Sequence, residues 1–249
     1  MWNYWKTDMK KMIFNKRFFY SVIGMVVALT VSGISMFRDQ GKNINMSDCF
    51  TIVSGFGFIL VYYVLSVIAG GMDYGIEKKS HYQEMMMMRI GKKRYILSKI
   101  ITSSMGGYLS MLLGMAAFYG IFCLVIAGMR GGFEQMYSGQ EQWEDQLWYI
   151  LVFCLLGSVL SVIGTVITVF IPNIFVGCAA PVLIYYMVIT LTNKHWNVWT
   201  LMPSCIYFSQ YKLFGSYPAH FLYACLYSGC IIYFMYRLVL WKVRRVESV

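Results

Sequence analysis

Long apolar stretches alternate with shorter polar ones along the chain, and this alternation sets its architecture. A helix of about 20 mostly apolar residues is long enough to cross the hydrocarbon core of a bilayer. Six stretches meet that length, at residues 18–37, 50–71, 100–128, 147–171, 174–192 and 220–240. The first five contain no Asp, Glu, Lys or Arg, and Arg237 lies near one end of the sixth. We therefore predict six transmembrane helices.

The basic residues between these stretches predict the orientation. If both termini are cytoplasmic, 16 of the 21 Lys and Arg residues fall on the inner side. Lys and Arg are retained preferentially on the cytoplasmic side of a membrane protein. We predict a multi-pass protein of the plasma (inner) membrane with both termini in the cytoplasm.

Composition narrows the class of protein. Of the 249 residues, 59% are hydrophobic and only 13% are charged, whereas a soluble domain carries about 25% charged residues. An ordinary soluble enzyme, a disordered chain and a small disulfide scaffold are excluded. The net charge of +10 follows from the orientation and does not require nucleic acid as a partner. The predicted fold class is an all-α polytopic membrane protein, with residues 1–249 forming a single transmembrane domain.

Residues 1–17 precede the first predicted span and have the pattern of an interfacial helix. Trp2, Trp5, Met9 and Met12 recur at helical spacing, with lysines between them. A helix of this kind lies in the plane of the lipid headgroups. Two interpretations stay open: a simple anchor that orients the first span, or an elbow helix that transmits motion from a cytoplasmic partner.

Residues 72–99 form a charged cytoplasmic segment between the second and third spans. Good helix formers without Pro or Gly predict a helix over residues 76–90, which Gly91 ends or bends. Methionine is adaptable and suits a surface that docks in a groove, although a methionine block could also cap the inner end of the bundle against lipid. The predicted docking residues of this segment are Glu77, Glu84, Met85, Met86, Met87, Met88, Arg89 and Arg94.

Residues 193–219 form an outer segment that is rich in aromatic side chains, which favour the membrane interface. We predict short helices that dip into the outer leaflet, serving either as a gate over a substrate path or as interfacial anchors. The candidate gate residues are Trp196, Trp199, Tyr207, Phe208 and Tyr211. Cys49 and Cys205 lie near the same side, and whether they form a disulfide stays open.

Catalytic and metal-binding patterns are absent from the sequence. It contains no P-loop, no HExxH and no cysteine pair with zinc spacing, so we predict neither enzymatic activity of its own nor a metal or cofactor bound by this chain. Polar groups within the spans are hydroxyls and backbone. The candidates for lining a substrate path, or else for packing between helices, are Ser54, Tyr62, Tyr63, Ser66, Tyr185 and Tyr186.

The layout resembles that of an ABC type-2 permease. The resemblance consists of six spans, an amphipathic N-terminal helix, a charged helix after span two and an interfacial segment after span five. The most local match is residues 91–99, GKKRYILSK, which is similar to the family's segment with a Gly and an Arg ahead of a short apolar stretch and a Lys. Glu77 or Glu84 could match the acidic residue that family members carry before it, whereas the Gly-Thr pair that often follows that acid is missing.

The resemblance implies a function that the residues alone do not give. Two permease subunits, identical or related, would pair, and two ATP-binding subunits carrying ATP and Mg²⁺ would dock beneath them. The complex would export a substrate such as an antimicrobial peptide or a lipid-like molecule, as in lantibiotic and bacitracin resistance. The alternative is a non-transporting immunity or sensory protein that binds a peptide at the outer surface.

Overall fold

The computed structural model describes residues 2–40, 56–80, 82–130, 143–171, 173–195, 201–208 and 216–245. Within these ranges the chain is all-helical, without strands, which confirms that the fold is all-α. Ten helices are described: α1 (Trp2–Ile13), α2 (Lys16–Gln40), α3 (Phe56–Gly70), α4 (Asp73–Lys79), α5 (Tyr82–Ile90), α6 (Lys92–Arg130), α7 (Trp143–Phe170), α8 (Ile174–His195), α9 (Pro203–Phe208) and α10 (Tyr217–Arg245).

Five of these helices are long and apolar enough to cross a membrane. Their apolar parts are Lys16–Ile34, Lys92–Val125, Leu147–Phe170, Ile174–Thr192 and Tyr217–Val243, which fall on five of the six predicted spans. The predicted second span corresponds to α3, whose apolar part, Leu60–Gly70, is shorter, and residues 41–55 lie outside the described ranges. The chain is thus a multi-pass, all-α membrane protein, and the sixth crossing stays a prediction.

Helix α7 is the centre of the bundle. It packs against α3, α4, α6, α8, α9 and α10 and is mostly buried, whereas the other spans each leave much of their apolar surface open. Leu183 on α8 and Leu226 and Phe234 on α10 are more than half exposed. An apolar surface of this extent is solvated by lipid tails or covered by another apolar helix.

Small residues bring α3, α6 and α7 into backbone contact. A Cβ atom added to Gly70 would lie 2.5 Å from the carbonyl oxygen of Ser103, and one added to Gly107 would press on the carbonyl oxygen of Gly157. Hydroxyl groups are shared across the same seam, where Thr165 donates to Ser103 Oγ at 2.7 Å. Close packing and interhelical hydrogen bonds of this kind stabilise helix association in membranes.

Helices α1, α4 and α5 lie with the first turns of α6 at one end of the bundle, which we call the basic end. Here α1 packs on α6, and α4 packs on α7. Tyr74 of α4, Met87 of α5, Tyr95 of α6 and Leu240 of α10 share one buried apolar cluster. The basic end therefore brings together the segments that the sequence predicts to be cytoplasmic. The compartment that it faces stays a prediction.

The prediction of one continuous helix over residues 76–90 is wrong, because the structure has two helices there. Helix α4 begins at Asp73 and ends at Lys79, and α5 begins at Tyr82. At the break, the Ser80 hydroxyl donates to the Glu77 carbonyl oxygen at 3.1 Å, because a short polar side chain can offer the backbone an alternative to further helix. Gly91 does end α5, with a left-handed φ of 86°. Helix α6 starts directly after it, eight residues before the predicted third span.

Candidate functional site

The first turns of α6 present a polar face to the basic end. Tyr95, Lys99 and Thr102 are spaced by four and three residues, so their side chains lie along one side of the helix. Helix α1 packs on this part of the bundle and supplies Asp8, while α4 supplies Glu77. Three helices that are distant in sequence therefore converge on one group of side chains.

Lys99 lies at the centre of this group. Its Nζ is 2.7 Å from Asp8 Oδ1 and 2.8 Å from Glu77 Oε1. The Tyr95 hydroxyl donates to Glu77 Oε2 at 2.7 Å, and Thr102 donates to Asp8 Oδ2 at 3.3 Å. The three charged side chains are only 5–7% exposed. We call Asp8, Glu77, Tyr95, Lys99 and Thr102 the ion cluster.

A second layer of contacts extends from the ion cluster to the surface. Lys11 Nζ is 3.1 Å from Glu77 Oε1, and it also lies 5.1 Å from the ring centroid of Tyr82 at the start of α5. Arg17 of α2 lies 3.7 Å from Asp73 of α4. These contacts join α1 to α4 and α5, and α2 to α4.

The two carboxylates of α4 have opposite electrostatic environments. Burial alone would raise the pKa of Glu77, but the Lys99 ammonium and the hydrogen bonds from Lys99, Tyr95 and Lys11 together hold it below its ordinary value. Burial raises the pKa of Asp73, and the charges of Glu77 and Asp8 add to that, against Lys99 and Arg17. Glu77 is therefore held as an anion, whereas ionised Asp73 is disfavoured.

The ion cluster ties helices together. Each acidic and basic side chain in it has a partner within hydrogen-bonding distance, so the arrangement holds α1 and α4 against the start of a membrane span. Removing one partner of a buried ion pair costs about 3–5 kcal/mol because it leaves an uncompensated charge. Among the residues that the structure describes, no group of three or more His, Cys, Asp or Glu residues could hold a metal ion.

Helix α5 presents an outward surface next to the ion cluster. Met88 is 80% exposed and Met85 is 53% exposed, and Glu84 and Arg89 are exposed beside them. We call these four residues the α5 surface. Met87 points inward instead and is 8% exposed, in the apolar cluster of the basic end. Met87 thus packs α5 against the bundle, whereas Met85 and Met88 form part of an exposed surface.

The structure separates the predicted docking residues into two sets. Glu84, Met85, Met88 and Arg89 lie together on the α5 surface. Glu77 and Met87 are buried, Met86 is partly buried against the apolar cluster, and Arg94 is exposed on the first turn of α6. The docking role itself stays a prediction for all of them.

The candidate path residues pack within the bundle or face outward. Tyr62, Tyr63, Ser66 and Tyr185 are buried, and the rings of Tyr63 and Tyr185 meet edge to face with centroids 5.3 Å apart. Tyr186 is 57% exposed on α8. Ser54 lies outside the described residues. A path role for the buried tyrosines would require these helices to separate.

The described part of the outer segment is packed against the bundle. Tyr207 is buried on α9, with its hydroxyl 2.7 Å from Ser228 Oγ, and His220 Nε2 donates to the Ile206 carbonyl oxygen at 2.9 Å. Phe208 is the last residue of α9. The other candidate gate residues, Trp196, Trp199 and Tyr211, lie outside the described residues, as does Cys49. Cys205 is a free thiol.

The sequence analysis placed Tyr95 and Lys99 only in the segment that resembles the permease family, and it assigned no role to Asp8 or Thr102. The available signal was the position of Lys99, a cation that directly precedes an apolar stretch, four residues after a tyrosine. A charge in such a place needs a partner. The partner could not be read from the sequence, because Asp8 lies 91 residues away.

Comparison with known proteins identifies no relative. No protein-family model, no curated protein and no solved structure matches the chain.

Proposed function

We propose that this chain is the membrane subunit of an ABC transporter and that a separate ATP-binding subunit drives it by docking on the α5 surface. The observation that carries the proposal is the exposure of Met85 and Met88 between Glu84 and Arg89 at the basic end. Adaptable apolar side chains with a charged border suit a helix that docks in a groove of a partner. ATP and Mg²⁺ would be bound by the partner, and none by this chain.

The contacts around α5 supply a route for force from the docked partner to the membrane. Gly91 alone separates α5 from α6, and Lys11 contacts both Tyr82 of α5 and Glu77 of the ion cluster. A displacement of α5 would therefore act on α6, α4 and α1 together. Ligand-driven switches work in this way, through contacts that differ between two packing states.

The proposed complex contains two copies of a permease subunit and two ATP-binding subunits in the plasma membrane. A second permease copy, identical or related, would cover the open apolar sides of α8 and α10, which one chain leaves uncovered. The substrate would be exported and would be an antimicrobial peptide or a lipid-like molecule. Both termini would be cytoplasmic, at the basic end.

A pull-down of the tagged full chain from gentle detergent tests the proposal. We expect stoichiometric recovery of an ATP-binding subunit with the native chain, and loss of it with Met85→Glu/Met88→Glu. The control is Phe14→Glu, which also places an acid on an exposed apolar site (78% exposed), in the turn between α1 and α2 and outside the α5 surface. The control variant should retain the subunit.

Two results would contradict the proposal. The native chain could be recovered alone while its genomic neighbours are expressed, which would favour the non-transporting immunity or sensory protein. Alternatively, an ATP-binding subunit could be recovered equally with the native chain and with Met85→Glu/Met88→Glu, which would place its docking site elsewhere on the chain.

A further inference from the structure

A small cavity lies beside the ion cluster, where the end of α3 and the start of α4 meet α6 and α7. Its volume is about 10 Å³, which is room for about one water molecule. Charged or short polar side chains form most of its lining, from Asp73, Lys99, Thr102, Ser103 and Thr165. We call it the junction cavity.

Two charged groups that line the junction cavity can form more hydrogen bonds than they form with other side chains. The Lys99 ammonium has three N–H donors, and Asp8 and Glu77 accept two of them. Asp73 Oδ1 lies 3.7 Å from Arg17, which is longer than a hydrogen bond, and a carboxylate can accept about four hydrogen bonds. At the junction cavity, Lys99 can therefore donate a further hydrogen bond and Asp73 can accept one.

Thr165 supplies a further acceptor from α7. Its hydroxyl donates to Ser103 Oγ at 2.7 Å and to the Ser161 carbonyl oxygen at 3.1 Å. Both contacts use the hydroxyl proton, so the hydroxyl oxygen keeps its capacity to accept. A water molecule in the junction cavity could accept from Lys99 and donate to Asp73 and Thr165. Three hydrogen bonds are typical of a buried water.

We propose that the junction cavity is a binding site for one ordered water molecule, which accepts a hydrogen bond from Lys99 and donates to Asp73 and Thr165. The water links α4, α6 and α7, and it joins the ion cluster to the hydroxyl groups that α6 and α7 share. A metal cation is disfavoured at this place because the Lys99 ammonium would repel it. The assignment does not depend on the transporter function.

X-ray radiolysis of the purified full chain, followed by mass spectrometry, tests the proposal. Radiolysis of an ordered buried water produces a hydroxyl radical that oxidises the side chain beside it. That side chain is Tyr74, which lines the junction cavity and is only 2% exposed. The internal control is Tyr63 of α3, which is equally buried and does not line the cavity. We expect Tyr74 to be oxidised at least about tenfold faster than Tyr63, because of the two only Tyr74 adjoins the water.

Two pairs of variants connect this oxidation to the proposed hydrogen bonds. Thr165→Val keeps the shape of the side chain and removes the acceptor. Its control, Thr168→Val, makes the same change to another buried threonine of α7, whose hydroxyl donates to the Thr165 carbonyl oxygen. Asp73→Leu removes the acceptor of α4, whereas its control, Asp73→Asn, keeps an acceptor oxygen. Thr165→Val and Asp73→Leu should slow the oxidation of Tyr74 at least about fivefold, and the two controls should change it less than about twofold.

Three results would overturn the proposal. Equal oxidation of Tyr74 and Tyr63 in the native chain would show that the cavity holds no ordered water. Unchanged oxidation of Tyr74 in Thr165→Val would show that the radical reaches Tyr74 without a water bound to Thr165. Equal losses in Thr165→Val and Thr168→Val would show a general change in the packing of α7. Because Thr165→Val conserves side-chain volume, it tests the site even if Asp73→Leu does not fold.

Discussion

At the scale of single residues, Lys99 determines how the basic end is built. A lysine at the start of a membrane span loses hydration, and this loss must be offset by partners. Asp8 and Glu77 supply two carboxylates within 2.8 Å of its ammonium group. Since both carboxylates are themselves buried, removal of Lys99 would leave two buried anions without the cation that they share.

Lys99→Met should therefore lower the free energy of unfolding by about 3–5 kcal/mol, because Asp8 and Glu77 would stay buried without their shared cation. Denaturant titration of the purified chain in mixed micelles measures the change. Lys11→Met is the matched control: its ammonium also contacts Glu77, but its side chain is 60% exposed, so the loss should be about 1 kcal/mol or less.

A variant that lacks all three charges distinguishes the contribution of charge to stability from that of packing. Asp8→Asn/Glu77→Gln/Lys99→Met removes all three charges together, and it should recover much of the stability that Lys99→Met loses, because no uncompensated ion is left behind. Equal losses in Lys99→Met and Lys11→Met would show that the buried ion pairs do not stabilise the fold.

The pKa of Glu77 predicts a pH dependence of stability. Because this pKa is lower in the folded chain than its ordinary value of 4.5, the unfolded chain binds the proton more tightly and acid favours unfolding. Glu77→Gln should lower the free energy of unfolding at neutral pH. The difference from the native chain should shrink as the pH falls from 4.5 through the lowered pKa. Thermal unfolding in detergent at stepped pH values measures it.

Substitution of Asp73 should have the opposite effect on the stability of the fold. Its pKa is raised in the folded chain, so its ionised form destabilises the fold at neutral pH. Asp73→Asn should raise the unfolding temperature there, and the gain should vanish as the pH falls below the ordinary value of 3.8. The same trend with pH in Glu77→Gln and Asp73→Asn would contradict the assigned environments.

At the scale of elements, α4, α5 and the start of α6 form one folded unit rather than a single helix and a span. Helix-forming residues and the stop at Gly91 could be predicted from the sequence. The burial of Glu77 could not, because it depends on contacts with α1 and α6 that are set by tertiary packing. The break at Ser80 accompanies a local hydrogen bond of the serine hydroxyl, and a serine in a sequence does not by itself end a helix. Nor could the sequence indicate which of the four methionines pack against the apolar cluster, Met86 and Met87, and which are exposed, Met85 and Met88.

Gly91 sets the turn between α5 and α6. Its φ of 86° is in the left-handed region, and an added Cβ would meet no neighbour within 4 Å. Gly91→Ala should therefore cost only the backbone strain, about 1–2 kcal/mol in the free energy of unfolding. Gly120→Ala is the matched control, because Gly120 lies inside α6 and also has open space around it. It should raise stability by about 0.5–1 kcal/mol.

Denaturant titration of the two glycine variants side by side makes the comparison. Equal effects of Gly91→Ala and Gly120→Ala would show that the turn at Gly91 is not held in the left-handed conformation. A stable Gly91→Ala variant that no longer retains an ATP-binding subunit would show instead that the turn orients the α5 surface.

At the scale of the whole molecule, the hydropathy pattern predicts the class of fold because membrane spans require long apolar helices. Five helices in the described residues are long and apolar enough to cross a membrane, and the segments predicted to lie inside meet at the basic end. The residues that would line a substrate path could not be predicted from hydropathy in the same way. Tyr63 and Tyr185 are polar residues in apolar helices, and only their packing shows that they are buried against each other in this chain.

The proposed contact between the α5 surface and an ATP-binding subunit can be captured by photo-crosslinking in living cells. A benzoylphenylalanine at Met88 should form a covalent adduct with an ATP-binding subunit, identified by peptide mass. The control position is Tyr20 on α2, an aromatic residue that is 67% exposed, and it should give no such adduct. An adduct from Tyr20 but not from Met88, or no adduct with that subunit from either position, would contradict the proposed contact.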